Sequence, residues 1–231
     1  MRSSLQKLSA VALLSLWIAG CNSSSTLLSS LDSPDRKPID RSKVGVNNFF
    51  VDSEFGSVSE QFSEIRDTLG IHYVRVLFAW TDGVQPSADE EPFYGFYDSI
   101  VESIPSGVDI LVVLAHTPNW MADSANWTNG NPRQTWVDRW VRPTVERYAG
   151  ARGIIGYQIW NEPDNTVVPS DAALGLTDPN RYMELLNYGA EVVRTVDPSR
   201  LVVMAATRSI QQNGGANFGY NIDLYDLGAQ D

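Results

Sequence analysis

The chain has 231 residues, 43% of them hydrophobic and 19% charged, which are values of a globular protein with one ordinary or large domain. The formal net charge is −11 and the pI is near 4.6. That balance excludes phosphate-backbone recognition, which needs clustered Lys and Arg, so nucleic acid is not an expected partner, and the folded surface is not expected to adsorb to anionic lipid.

The N-terminus opens with Arg2 and Lys7, followed by an apolar run from Leu8 to Ile18 that is too short for an ordinary membrane span. The run ends in Ile18-Ala19-Gly20-Cys21, which resembles the bacterial lipoprotein signal. The resemblance implies a signal peptide over 1–20, a lipidated N-terminal Cys21, and export to the cell envelope, with lipid as the only membrane contact. Asn22, rather than Asp, then favours the outer membrane in a Gram-negative host. The plainer alternative is an ordinary secretory signal with an incidental cysteine. Cys21 is the only cysteine, so no disulfide forms within the chain. Residues 21–42 are rich in Ser, Asp and Pro and read as a flexible tether, which leaves 43–231 as the folded domain.

Within that domain five apolar runs read as strands: Val44–Phe50, Tyr73–Trp80, Ile110–His116, Ile154–Asn161 and Leu201–Thr207. Several are apolar on both faces, as parallel strands covered on each side are. Helical patterns lie between them. Ser57 and Glu60 form a capping box for a helix running to about Leu69, which Gly70 stops. Phe93–Ile104, Thr135–Tyr148 and Asn180–Val196 follow, and a last helical pattern begins near Phe218. Trp136 and Trp140 stand four apart on one helix face, a core-packing pattern. His72 begins the second strand and reads as structural, while Trp127 reads either as exposed near the cleft or as folded over it.

This β-α alternation predicts an α/β fold with a parallel sheet. No Gly-rich phosphate loop follows the first strand, so a TIM (β/α)8 barrel is favoured over a doubly wound nucleotide fold. The pattern runs through about five βα units, three short of eight. In such barrels the C-terminal strand ends form the active site. Here those ends carry Asn47-Asn48, Trp80, His116, Asn161-Glu162 and Thr207-Arg208.

The fourth strand runs Tyr157-Gln158-Ile159-Trp160-Asn161-Glu162-Pro163-Asp164. Strand alternation puts Gln158, Trp160 and Glu162 on one face and Tyr157, Ile159 and Asn161 on the other, with Pro163 biasing Glu162 toward an extended backbone. An amide beside a carboxylate at a strand tip suits glycoside hydrolysis. The acid protonates the leaving oxygen, and the amide hydrogen-bonds the sugar 2-OH as charge develops at the anomeric carbon.

Asn161-Glu162-Pro163, with Val74-Arg75-Val76-Leu77-Phe78-Ala79-Trp80 and Leu114-Ala115-His116-Thr117-Pro118-Asn119-Trp120, resembles the clan A retaining glycoside hydrolases, in their family 39-like and family 5-like branches. The resemblance covers about 44–231. It implies Glu162 as the general acid/base, Asn161 on the sugar 2-OH, Arg75 and His116 supporting the nucleophile or substrate, and Trp80 and Trp120 as sugar platforms. It implies a poly- or oligosaccharide substrate and no cofactor, and no Cys/His/Asp cluster has metal-ligand spacing. Each supporting residue has a structural alternative: an ion pair for Arg75, a bonded strand-end histidine for His116, packing for the two tryptophans.

The retaining mechanism needs a second carboxylate about 5–5.5 Å from the first. The family supplies it after a seventh strand, and none of Glu184, Glu191, Asp164, Asp223 and Asp226 is a natural candidate. Three readings therefore stand: a glycosidase whose nucleophile this sequence does not contain, a non-catalytic carbohydrate-binding lipoprotein, and an inactive fragment. Sugar, linkage and oligomeric state are not readable from the chain.

Overall fold

The computed structural model describes residues 40–165, 169–208 and 217–229. The expected signal peptide, Cys21 and nearly all of the tether lie outside the described residues. Five strands, β1 (Gly45–Asn47), β2 (Tyr73–Ala79), β3 (Asp109–Ala115), β4 (Ile154–Ile159) and β5 (Leu201–Met204), form one parallel sheet in the order β1-β2-β3-β4-β5. Consecutive parallel neighbours need a crossover each time, and the helices between the strands supply it.

The two faces of the sheet differ. In β2, Val74, Val76 and Phe78 are buried, and Phe78 stacks on Tyr97 with ring centroids 4.2 Å apart. This face is covered by helices. Tyr73, Arg75, Leu77 and Ala79 alternate onto the other face, which holds an open hollow of about 340 Å³ lined by Gly45, Asn47, Tyr73, Arg75, Leu111 and Ile155 among others. Register carries that face across the sheet: Asn47 pairs with Arg75, Arg75 with Leu111, and Leu77 with Val113, which pairs with Gln158. A bulge places Ile155 between Ile154 and Gly156, which oppose consecutive residues of β3.

Helix α1 (Val58–Ser63) begins with the expected capping box. The Glu60 N–H donates to Ser57 Oγ, and the Ser57 N–H donates to Glu60 Oε2 at 2.8 Å. The helix continues as a π-turn over Glu64–Thr68. Helix α2 (Gly95–Glu102) lies inside the expected span. Helix α3 (Pro132–Trp136) starts earlier than periodicity indicates, because Asn131 caps it and Pro132 takes the first turn, where its missing N–H costs nothing. A π-helical stretch, Val137–Val141, joins α3 to α4 (Arg142–Arg147). A short helix, α5 (Pro169–Ala172), has no counterpart in the sequence reading. Helix α6 (Pro179–Val196) is capped by Asp178, and α7 (Asn217–Asp226) is the last.

Trp136 and Trp140 are fully buried, as their spacing indicates. Trp140 stacks on Tyr94 at 5.5 Å and on Trp80 at 6.2 Å, an aromatic layer between β2 and the α3–α4 segment. Each such ring removes roughly 150–250 Å² from water, so this layer dominates the packing of that face. Trp127 is partly buried against the core, and its indole N–H donates to the Met121 carbonyl at 2.8 Å. His72 Nδ1 lies 2.8 Å from the Gly107 carbonyl, a structural contact at the start of β2.

Candidate active site

The expected strand ends overshoot the observed ones by one to three residues, and at β1, β3 and β4 a left-handed residue lies in or just beyond the overshoot. Five non-glycine residues among those described have positive φ, and four of them, Phe50, His116, Trp160 and Glu162, lie just beyond a strand. A left-handed residue ends strand alternation and costs roughly 1 kcal/mol or more, so the surrounding contacts must hold it.

At the end of β4 this overturns two expectations. Glu162 is not extended, since its φ is 48°. Pro163 instead takes the second position of a turn in which the Asn165 N–H donates to the Glu162 carbonyl at 2.9 Å. The Glu162 N–H donates to the Ala206 carbonyl at 2.9 Å, which ties the acid to the segment after β5. The expected side-chain sets are also wrong. Trp160, with φ 72°, turns away to pack its buried ring edge-on against Trp136 at 5.4 Å. Asn161 thereby joins Gln158 rather than Ile159.

Arg75 makes that grouping explicit. Its Nη2 donates to Asn161 Oδ1 at 2.8 Å, its Nε to Gln158 Oε1 at 2.9 Å, and its Nη1 to Asn47 Oδ1 at 3.2 Å. One guanidinium fork, rigid and planar, thus joins β1, β2 and β4. Because Arg75 can only donate, it fixes Oδ1 of Asn161 as the inward atom and leaves Nδ2 as the donor end. Burial pulls the Arg75 pKa below its ordinary value, and the negative charge of Glu162 opposes that shift. The guanidinium and the carboxylate are therefore electrostatic partners at the strand ends.

His116 stands beyond β3. Its Nδ1 lies 3.0 Å from Asp171 Oδ2, and Thr117 Oγ1 donates to Asp171 Oδ1 at 2.9 Å. Its carbonyl accepts the Trp136 indole N–H at 2.9 Å, which helps hold φ at 67°. Sequence reasoning missed Asp171, which lies 55 residues further on in a four-residue helix and carries no local signal. Gln158 was legible as a polar residue inside an apolar run, but its partner was not.

The two tryptophans separate. Trp80 is fully buried, its indole N–H donates to Gln85 Oε1 at 2.9 Å, and its ring is sandwiched in the aromatic layer. It cannot serve as a sugar platform, and that expectation is corrected to packing. Trp120 is half-buried, meets Trp80 edge-on at 5.2 Å, donates to the Gln85 carbonyl, and lies 5.3 Å beneath the Arg139 guanidinium. The acids near the strand ends are engaged: Asp164 Oδ1 accepts the Arg208 N–H at 2.9 Å, and Asp171 serves His116 and Thr117. Among the described residues no group of His, Cys, Asp and Glu could hold a metal ion. A hollow of about 750 Å³ lies between α2 and α4, lined by residues of the helical side and by none of these strand-end residues.

Residues 38–223 match the model of a family described as cellulase, glycosyl hydrolase family 5. No curated protein matches the sequence. Among solved structures, a family 39 glycoside hydrolase from Bacteroides cellulosilyticus WH2 superposes with a TM-score of 0.56 at 19% identity, over 83% of this chain and 37% of its own. GH5_18 from Streptomyces cattleya gives 0.53 at 16% identity, over 70% and 43%. Endoglucanase Cel5A from Thermotoga maritima gives 0.50 at 17% identity, over 73% and 54%. The chain therefore spans between about a third and a little over half of these similar structures. They share its fold: the parallel five-stranded sheet is of the TIM-barrel type.

Proposed function

The chain belongs to the cellulase family, glycosyl hydrolase family 5, and from that premise we propose that it contributes the acid/base half of a retaining glycosidase site acting on the O-glycosidic bonds of a poly- or oligosaccharide. One observation carries this reading: Asn161 and Glu162 stand together at the end of β4, with Arg75 holding Asn161 by its Oδ1. In the proposed reaction Glu162 gives its proton to the leaving glycosidic oxygen. It then takes a proton from the water that releases the sugar. Asn161 Nδ2 donates to the sugar 2-OH, a bond that strengthens as the anomeric carbon becomes positive. The nucleophilic carboxylate is assigned to no residue of this sequence.

The test is hydrolysis of aryl β-glycosides and cello-oligosaccharides by a form of the protein that carries the nucleophilic carboxylate, with Glu162 intact and with Glu162→Gln. Loss of a positioned general acid lowers the rate by about 10²- to 10⁴-fold. A mutant as active as wild type would sink the assignment. A second reading, glycan binding without turnover, is supported by the engagement of Asp164 and Asp171 with other partners. Saturable binding with no hydrolysis by the wild type would favour it. Anchoring by a lipid on Cys21 belongs to the same proposal and rests on sequence alone. Cys21→Ser should move the protein from the membrane fraction to the soluble one.

A further inference from the structure

The environment of His116 is more specific than packing requires. Asp171 is only 9% exposed, and both its oxygens are used on adjacent residues, one on His116 Nδ1 at 3.0 Å and one on Thr117 Oγ1 at 2.9 Å. The neighbouring Ser170 Oγ donates to the Thr117 carbonyl at 3.1 Å. Helix α5, which follows the Glu162 turn in the chain, is thus fastened to the end of β3 at three points. The His116 side chain remains 40% exposed, so one edge of the ring is held and the other is accessible.

We propose that Asp171 is a positioning residue. It fixes His116 as the Nδ1–H tautomer and so presents a bare Nε2 as a hydrogen-bond acceptor for a hydroxyl of the bound sugar. The argument is one of donor and acceptor inventory. An ionised carboxylate only accepts, so the ring nitrogen facing it must carry the proton. In the neutral ring the other nitrogen then has a lone pair and no hydrogen. Sugar hydroxyls both donate and accept, so this tautomer selects a hydroxyl that donates to Nε2, whereas the opposite tautomer would select one that accepts. The sugar half of the proposal rests on the glycosidase reading above, and the tautomer half does not.

The experiment is long-range ¹H–¹⁵N correlation spectroscopy of the full chain labelled at histidine. The sequence contains two histidines, and His72 serves as the internal reference. At a pH where the ring is neutral, the His116 spectrum should show a protonated Nδ1 and a bare Nε2. Asp171→Ala should abolish that signature at His116 and leave His72 unchanged. Asp171→Asn should weaken or reverse it, because the amide can turn its NH2 to donate to Nδ1 while its oxygen accepts from the Thr117 hydroxyl. Cellotetraose should shift the Nε2 resonance of the wild type. A protonated Nε2 in the wild type, or an Asp171→Ala spectrum identical to wild type, overturns the proposal whatever the enzyme activity. Should Asp171→Ala fail to fold, the wild-type and Asp171→Asn spectra still decide the tautomer. A correct tautomer with no response to cellotetraose overturns the sugar contact alone. Failure of the glycosidase reading shows separately, as undiminished activity in Glu162→Gln.

Discussion

Arg75 is the residue on which the proposed site turns. It gives three N–H groups to three side-chain oxygens, of which that of Gln158 belongs to a buried residue. A bond to a charged group contributes about 1.5–3 kcal/mol, and an abandoned buried acceptor costs its desolvation. Arg75→Met should therefore lower stability by about 2 kcal/mol, read as a reduced urea midpoint at unchanged slope. Arg75→Lys keeps the charge but has no planar fork to span Asn47, Gln158 and Asn161. It should recover part of the stability and little of any glycan affinity, measured by calorimetric titration. Equal affinity in the Lys variant would show that charge, not orientation of Asn161, is what Arg75 supplies. The sequence made Arg75, Asn161 and Glu162 legible because a charged or amide residue in an apolar run is conspicuous. It could not show that Trp160 takes a left-handed φ, and that single dihedral moved Asn161 to the face of Gln158. Trp80 misled for a related reason: strand position marks the end of a strand but not the direction in which its last side chain turns.

At the scale of elements, Tyr182 and Asp197 help fasten the ends of β5 to its neighbours beyond the backbone ladder. Tyr182 on α6 donates to the Ile159 carbonyl at 3.0 Å and accepts the Ala205 N–H at 2.6 Å, joining the ends of β4 and β5. Tyr182→Phe leaves a buried N–H without an acceptor and should cost about 1–3 kcal/mol in urea unfolding. No change would mean that water enters to replace the hydroxyl. Asp197, at the end of α6, accepts from the Gly150 N–H at 2.9 Å, from Ser199 and from Arg200. Burial alone would raise its pKa, but those hydrogen bonds and the Arg200 charge outweigh it and hold the carboxyl below its ordinary value. A depressed folded-state pKa contributes stability above the unfolded value, about 3.9, which is lost as pH falls through the folded value. Asp197→Asn should thus be less stable than wild type at neutral pH, with the gap closing below about pH 4. Stability measured against pH by urea unfolding checks this, and a gap constant with pH would contradict it. The helices were legible from period and caps, and Ser57 with Glu60 formed the expected box. Helix α5 was not, since four residues carry no period and its partners His116 and Thr117 are more than fifty positions away.

At the scale of the molecule, the parallel order of five strands was legible because each apolar run is followed by an amphipathic one. The helical face is packed with aromatic rings, whereas the opposite face is not. Tyr73 is 40% exposed and Leu201 59%, and Leu111 and Val203 beside them are half-exposed. Register places Tyr73 and Val203 on the same face as Arg75 and Gln158, and Leu201 opposite Gly156. Among the described residues β1 and β5 each have a neighbour on one side only, so the sheet also presents two unpaired edges. An apolar face beside an unpaired strand is a template for association, and a contiguous patch beyond roughly 400 Å² does not stay solvated in a monomer. The 231-residue chain in isolation should therefore self-associate with rising concentration and bind an environment-sensitive apolar dye. Leu201→Lys combined with Val203→Lys puts two charges on that face at positions already open to water, so the fold should survive while both behaviours weaken. Sedimentation velocity and dye fluorescence measure the two effects. A wild-type chain that sediments as a monomer across the concentration range and leaves the dye dark would show that this face is covered in solution. The apolar row along β5 would then be part of a packed interior rather than an exposed one.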